Sequence, residues 1–104
     1  MSFILGGTHE AHAAVAEPTN VTYSGFWNYK IKWKGVKNVN GYEIKVQYAY
    51  ENGGYAGTYY YVTSKNTYTL NTGLTSCYVW VRSYTAGKDG KQVSRWVPAS
   101  YTLW

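Results

Sequence analysis

The side chains that could catalyse a reaction or hold a metal ion are few, and they are spread along the chain. The two histidines, His9 and His12, flank Glu10 near the amino end, and two imidazoles with one carboxylate make a poor site for a divalent metal. Asp89 lies in a Gly-Lys-Asp-Gly segment that is typical of a hairpin turn. Cys77 has no histidine outside the amino-terminal segment to activate it. We therefore expect a protein that is not an enzyme and has no cofactor or metal site.

Aromatic side chains are the stronger candidates for function. Residues 77–84 alternate in character, and the set predicted to face outward, with its expected neighbours, is Tyr78, Trp80, Arg82 and Tyr84 beside Lys45, Gln47 and Arg95. Exposed tryptophan and tyrosine suit a protein interface or stacking on a sugar ring. A second interpretation is that Arg82 and Arg95 stack on Trp80 or Trp96 as a cation–π ladder. The two interpretations are compatible, because a ladder can also be a contact face.

The first seventeen residues differ in composition from the rest of the chain. Phe3, Ile4 and Leu5 precede two glycines and a run rich in alanine and histidine, which closes at Pro18. Residues 14–16 have the small-x-small form of a signal-peptidase site, but the basic start and apolar run of a secretory signal are missing, so we do not expect ordinary secretion. Two interpretations of residues 1–17 stay open. They are a leader or disordered tail, or an arm that docks on a neighbouring molecule through Phe3, Ile4 and Leu5.

Length and composition indicate one small all-β domain over residues 18–104. The chain has 104 residues with thirteen Tyr, five Trp and eleven Gly, and aromatic residues favour strands while glycine marks turns. No segment after the amino-terminal seventeen residues repeats apolar positions at helical spacing. The single cysteine excludes an internal disulfide. No run of about 18 apolar residues is present, so we expect no membrane span.

The net charge of +5 is compatible with an anionic partner. The lysines, however, alternate along predicted strands and form no dense cluster, which favours a solvated face over a nucleic-acid site. Polarity alternation and turn signals predict seven strands, at about 21–23, 29–34, 42–48, 58–63, 67–70, 77–84 and 93–104. The side chains expected inside are Tyr29, Ile31 and Trp33 of the second strand, Tyr42, Ile44, Val46 and Tyr48 of the third, and Cys77, Val79, Val81 and Ser83 of the sixth. Glu43 is expected outside without an evident partner. The pattern does not assign the facing of residues 59–61.

Four motifs follow one another in a consistent order, namely Trp33 in the second strand, Gly-Tyr-x-Ile-x-Val from Gly41, Leu70 and Leu74 before Val79-x-Val81-Arg82, and Ser94-Arg95-Trp96. Together they resemble a fibronectin type III domain of the bacterial and phage type. The resemblance covers residues 18–104 and implies a seven-stranded antiparallel, immunoglobulin-like sandwich. One position departs from the family, since Cys77 stands where a corner tyrosine is usual and Tyr78 lies beside it.

The resemblance implies a structural or interaction module, because this fold serves many roles. The first hypothesis is a phage virion component, either a capsid decoration or a tail-associated protein. It would dock on a capsid or tail protein, or on further copies, by the arm and display the sandwich. The alternative is a module of a bacterial surface or carbohydrate-active protein, located outside the cell as an adhesin, spacer or glycan binder. A nucleic-acid partner ranks last.

Overall fold

The computed structural model describes residues 15–25, 28–49, 54–71 and 76–102. These residues form nine strands: β1 (Thr19–Gly25), β2 (Asn28–Lys34), β3 (Gly41–Ala49), β4 (Tyr55–Thr63), β5 (Thr67–Asn71), β6 (Ser76–Gly87), β7 (Gly90–Val93), β8 (Val97–Pro98) and β9 (Ser100–Tyr101). No described segment is a helix that could span a membrane. The predicted residues Phe3, Ile4 and Leu5 lie outside the described part of the chain.

The strands form a sandwich of two sheets. The smaller sheet has the order β5-β2-β1-β9, and the larger has the order β4-β3-β6-β7 with β8 also paired to β6. The all-β sandwich is as predicted, and the strand count differs from seven only at the carboxyl end. The segment expected to be one strand after Val93 is divided, and its last piece, β9, pairs with β1 in a parallel sense at Thr22 and Tyr23. The chain therefore crosses from one sheet to the other near Ala99.

Alternation along the strands decides which side chains enter the core. In β2 the pattern is strict, since Tyr29, Ile31 and Trp33 are buried and the lysines between them are exposed. Ile31, Ile44, Val46 and Val81 have no solvent exposure at all. They face one another across the two sheets with the other core residues, which are Val21, Tyr29, Trp33, Tyr42, Tyr48, Leu70, Cys77 and Val79. The inward positions predicted for the second, third and sixth strands are confirmed.

Pairing between β3 and β4 settles the facing of the tyrosine run. Tyr59 lies opposite Val46 and Tyr61 opposite Ile44, so both are on the core side of the sheet. Tyr60 lies opposite Lys45 and is therefore on the outer side. Tyr61 packs against the core, and its hydroxyl lies 3.3 Å from that of Tyr48.

Two tyrosine hydroxyls form hydrogen bonds with backbone groups outside their own strands. The Tyr23 hydroxyl donates to the carbonyl of Cys77 at 3.1 Å, which links β1 to β6. The Tyr42 hydroxyl accepts a hydrogen bond from the Val36 amide at 2.9 Å. Cys77 is itself buried in the core, and burial raises the pKa of its thiol to about 12. Cys77 is thus a protonated packing residue, and its backbone carbonyl accepts the long-range hydrogen bond from Tyr23.

The residues before β1 pack on the sandwich. Val15 is buried, the Ser83 hydroxyl donates to the Ala16 carbonyl, and the Arg95 guanidinium lies 2.5 Å from the Glu17 carboxylate. These contacts hold residues 15–17 against β6 and the segment after β7.

Candidate functional site on the outer face of the larger sheet

The outer face is the side of the β4-β3-β6-β7 sheet that is turned away from the core. Three cross-strand pairs place the predicted residues there, because directly opposed residues share a face. Lys45 lies opposite Trp80, Glu43 opposite Arg82, and Gln47 opposite Tyr78. Tyr84 lies opposite Gly41 at the next position of the same face. The structure therefore brings six of the seven predicted residues together, namely Lys45, Gln47, Tyr78, Trp80, Arg82 and Tyr84.

Cations and aromatic rings alternate across the centre of this face. The Lys45 ammonium lies 4.4 Å from the centroid of the Trp80 ring and 5.0 Å from that of Trp96. The Arg82 guanidinium lies 4.1 Å from the centroid of the Trp96 ring. These distances are within the range of cation–π attraction. The ladder interpretation is supported for Arg82 on Trp96, while Lys45 occupies the position beside Trp80.

Trp96 reaches the face from outside the strands. It follows β7 in a segment without regular structure, and its ring also contacts Tyr60 of β4 at 6.1 Å between centroids. We name the group of Lys45, Tyr60, Trp80, Arg82 and Trp96 the aromatic–cation cluster. Its other members lie on β4, β3 and β6, and the Trp96 ring contacts a residue of each of these strands.

Glu43 supplies the negative charge beneath this cluster. Its side chain is 11% exposed and accepts a hydrogen bond from Arg82 Nε at 2.7 Å, and Lys91 Nζ donates to its second oxygen. Burial alone would raise the pKa of this carboxyl, but the hydrogen bonds and charges of Lys91 and Arg82 outweigh burial and lower the pKa. The expectation that Glu43 lacks a partner is wrong, because it bridges two cations from β6 and β7.

Tyr60 and the remaining predicted residues differ in accessibility. Tyr78 is 59% exposed and Tyr60 is 65% exposed, so both present open ring surface to solvent. Tyr84 is partly buried, and the Lys91 ammonium lies 5.6 Å from its ring centroid. Arg95 does not join the ladder, since it pairs with Glu17 instead, and that carboxylate raises the pKa of Arg95.

Sequence reasoning missed Tyr60 and Lys91 as members of the face and misjudged Glu43. Alternation alone gives two possible facings for the run Tyr59 to Tyr61, so only the register against β3 could identify Tyr60. Lys91 follows Glu43 by 48 residues, and no local pattern connects two residues so far apart. Among the described residues no three His, Cys, Asp or Glu side chains come together as a metal site would require.

Comparison with known proteins identifies the fold. A structure described as a myokine superposes with a TM-score of 0.54 at 18% identity, over 83% of this chain and 96% of that one. The FN5 domain of Drosophila Lar superposes with a TM-score of 0.51 at 13% identity, over 83% of this chain and 97% of that one. No protein-family model and no curated protein sequence matches the chain. The chain thus has a fibronectin type III-like fold, and identities this low establish the fold alone.

Proposed function

We propose that this fibronectin type III-like chain is a non-catalytic module that binds a protein partner through the outer face of its larger sheet. The observation that carries the proposal is the aromatic–cation cluster beside the solvent-exposed ring of Tyr78. Tryptophan, tyrosine and arginine are the residues that most often dominate the energy of protein interfaces. Because the contacts of the cluster hold these side chains in place before binding, less conformational entropy is lost on association.

Charge also favours a partner with acidic groups. Lys45, Arg82 and Lys91 carry three positive charges on this face, and Glu43 is the one acidic side chain that the described residues place among them. A partner that offers a carboxylate near Lys45 and an apolar side chain on Tyr78 would complement both features. Such complementarity raises the rate of association and excludes partners of the wrong charge.

The test is a photo-crosslinking amino acid placed at Tyr78 and, as a matched control, at Tyr101. Both tyrosines are more than half exposed, but Tyr101 lies on β9 of the smaller sheet. We expect an adduct with one host or particle protein from position 78 and none from position 101. The substitution Trp96→Ala should abolish the adduct. Equal adducts from both positions, or an adduct that survives Trp96→Ala, would contradict the proposal.

The more specific form of the proposal is a structural component of a phage particle, a capsid decoration or a tail-associated protein. The sandwich would be displayed on the virion, and Phe3, Ile4 and Leu5 would dock on the particle. The motivation is the apolar amino-terminal segment together with the sequence resemblance. Replacing all three residues with serine should remove the chain from gradient-purified particles while its circular dichroism is unchanged. Recovery of the chain from cell envelopes alone would reject this form.

The second candidate is a glycan-binding or adhesive module of a bacterial surface protein, located outside the cell. Tyr60 and Tyr78 favour it, because their exposed rings on one flat face suit stacking on sugar rings. A glycan array probed with the natural chain and with Trp80→Ala separates this candidate from the first. Selective binding that Trp80→Ala weakens supports it, and binding by neither form rejects it.

A further inference from the structure

The outer edge of β4 differs from the other strand edges of the sandwich. β4 bonds β3 on one side, and on the other side it pairs with no strand in the described part of the chain. Its residues 57–63 run in unbroken one-to-one register with β3, from Gly57 opposite Tyr48 to Thr63 opposite Tyr42. Gly57 has a left-handed φ of 130°, and residues 59–63 are regular backbone, which presents hydrogen-bonding groups along an edge that no described strand covers.

The side chains of β4 lack the features that usually prevent strands from pairing between molecules. Residues 55–63 contain no charged residue and no proline, and the one register shift lies at the amino-terminal end of the strand. Tyr59, Tyr60 and Val62 are 50%, 65% and 60% exposed. Charge, proline and bulges are the common protections of an edge strand, and the central part of β4 has none of them.

The other edges of the two sheets are short or charged. β7 has four residues and includes Lys91, β8 has two residues including Pro98, and β9 has two residues. β5 has five residues, and its buried member, Leu70, points into the core. Only β4, among the described strands at a sheet edge, combines nine residues with large exposed apolar side chains.

We propose that β4 pairs antiparallel with β4 of a second copy of this chain, so that the two larger sheets join into one sheet across a two-fold axis. A second copy fits because an uncharged edge is its own complement, and every contact occurs twice in such an isologous interface. With the axis at Tyr60, Tyr59 faces Tyr61 of the other copy and Thr58 faces Val62. Aromatic and β-branched cross-strand pairs of this kind stabilise sheets.

Electrostatics permits this contact although each copy carries a charge of +5. The nearest lysine on the outer face is Lys45 of β3, so two copies of Lys45 are separated by three strand spacings, about 14 Å. That distance exceeds the Debye length of about 8 Å at physiological salt. The Lys45 ammonium also lies over Trp80, on the side away from β4.

The dimer should be reversible, because one pair of strands buries less than the roughly 1,600 Å² of a standard interface. We expect a dissociation constant on the order of tens of micromolar. Sedimentation velocity of the full chain from about 10 µM to about 1 mM covers that range. The weight-average mass should rise from 11.8 kDa towards twice that value. A mass of one chain at every concentration would overturn the proposal.

Two lysine substitutions locate the contact. Val62→Lys places a charge on the edge beside Glu43, and we expect it to weaken dimerisation at least about tenfold. Tyr78→Lys is the matched control, since Tyr78 is equally exposed on the same face but lies on the central strand β6. It should leave the dimer unchanged. Equal weakening by both substitutions would assign self-association to the outer face and overturn the edge contact.

Hydrogen exchange gives a reading that does not depend on any variant. In an antiparallel pair about every second amide of β4 becomes bonded across the new interface. About half of the amides of residues 59–62, those that point away from β3, should therefore exchange more slowly at about 1 mM than at about 10 µM. The triple change Phe3→Ser, Ile4→Ser and Leu5→Ser should not affect the dimer. Dimers that form without slower exchange in β4, or that disappear in the triple variant, would refute the proposal.

Discussion

Glu43 connects three strands of the larger sheet through one carboxylate. Its main chain belongs to β3, and its side chain binds Arg82 of β6 and Lys91 of β7. Arg82 in turn stacks on Trp96, so the carboxylate fixes the cation that holds the tryptophan. Removing one partner of a mostly buried ion pair leaves the other charges without compensation. Glu43 is therefore the residue at which stability and the shape of the outer face are most closely linked.

Replacing Glu43 with glutamine should lower the free energy of unfolding by about 2 kcal/mol near neutral pH. We discount the share of Lys91, because its side chain is 51% exposed and solvent screens the pair. Urea unfolding followed by tryptophan fluorescence measures the loss. Glu17→Gln is the matched control, since it makes the same chemical change in the ion pair with the exposed Arg95. It should leave stability unchanged within error.

The stabilisation that Glu43 provides should depend on pH, and Glu43→Gln tests this. The pKa of Glu43 is lowered in the folded state, so the natural chain gains stability from this group above the unfolded pKa. It loses that stability as pH falls through the folded pKa. The difference between the natural chain and Glu43→Gln should therefore shrink from roughly pH 5 to roughly pH 3. A difference that stays constant over this interval would show that the carboxylate charge is not responsible.

At the scale of strands, local sequence patterns predicted the features that depend on neighbouring residues, such as which side chains of a strand face the core. Strict alternation of lysines with Tyr29, Ile31 and Trp33 identified the inward side of β2, because a residue period of two maps directly onto the two faces. The parallel pairing of β9 with β1 depends on where the chain crosses between sheets, and two-residue strands leave no period to detect. The position of Trp96 depends on contacts with β3, β4 and β6, which only the assembled sheet provides.

Two glycines with left-handed backbone should respond differently to substitution. Gly25 ends β1 with a φ of 121°, and a Cβ built there would lie 2.0 Å from the Asn28 carbonyl oxygen. Gly90 begins β7 with a φ of 93° and open space around it. We expect Gly25→Ala to cost about 3 kcal/mol of stability, and Gly90→Ala about 1 kcal/mol. Thermal unfolding of the two variants should rank them in this order, and equal losses would mean that steric contact at Gly25 is relieved by backbone movement.

At the scale of the whole molecule, one apolar core joins both sheets. Ile31 of the smaller sheet and Ile44, Val46 and Val81 of the larger sheet are fully buried within it. Because neither sheet can cover its own inner face, we expect the two sheets to unfold together in a single transition. The outer face depends on this core, since the strands that carry Lys45, Trp80 and Arg82 also contribute Ile44, Val79 and Val81 to it.

The same valine-to-alanine substitution at Val46 and at Val62 tests whether the outer face depends on the core. Val46 has no exposed surface, whereas Val62 on the neighbouring strand is 60% exposed. Val46→Ala leaves a cavity between the sheets and should lower the free energy of unfolding by about 2 kcal/mol. Val62→Ala should change it by less than about 0.5 kcal/mol. Urea transitions monitored by far-ultraviolet circular dichroism and by tryptophan fluorescence should coincide in both variants. Separation of the two transitions in Val46→Ala would mean that the larger sheet, with its outer face, keeps its structure after the shared core is lost.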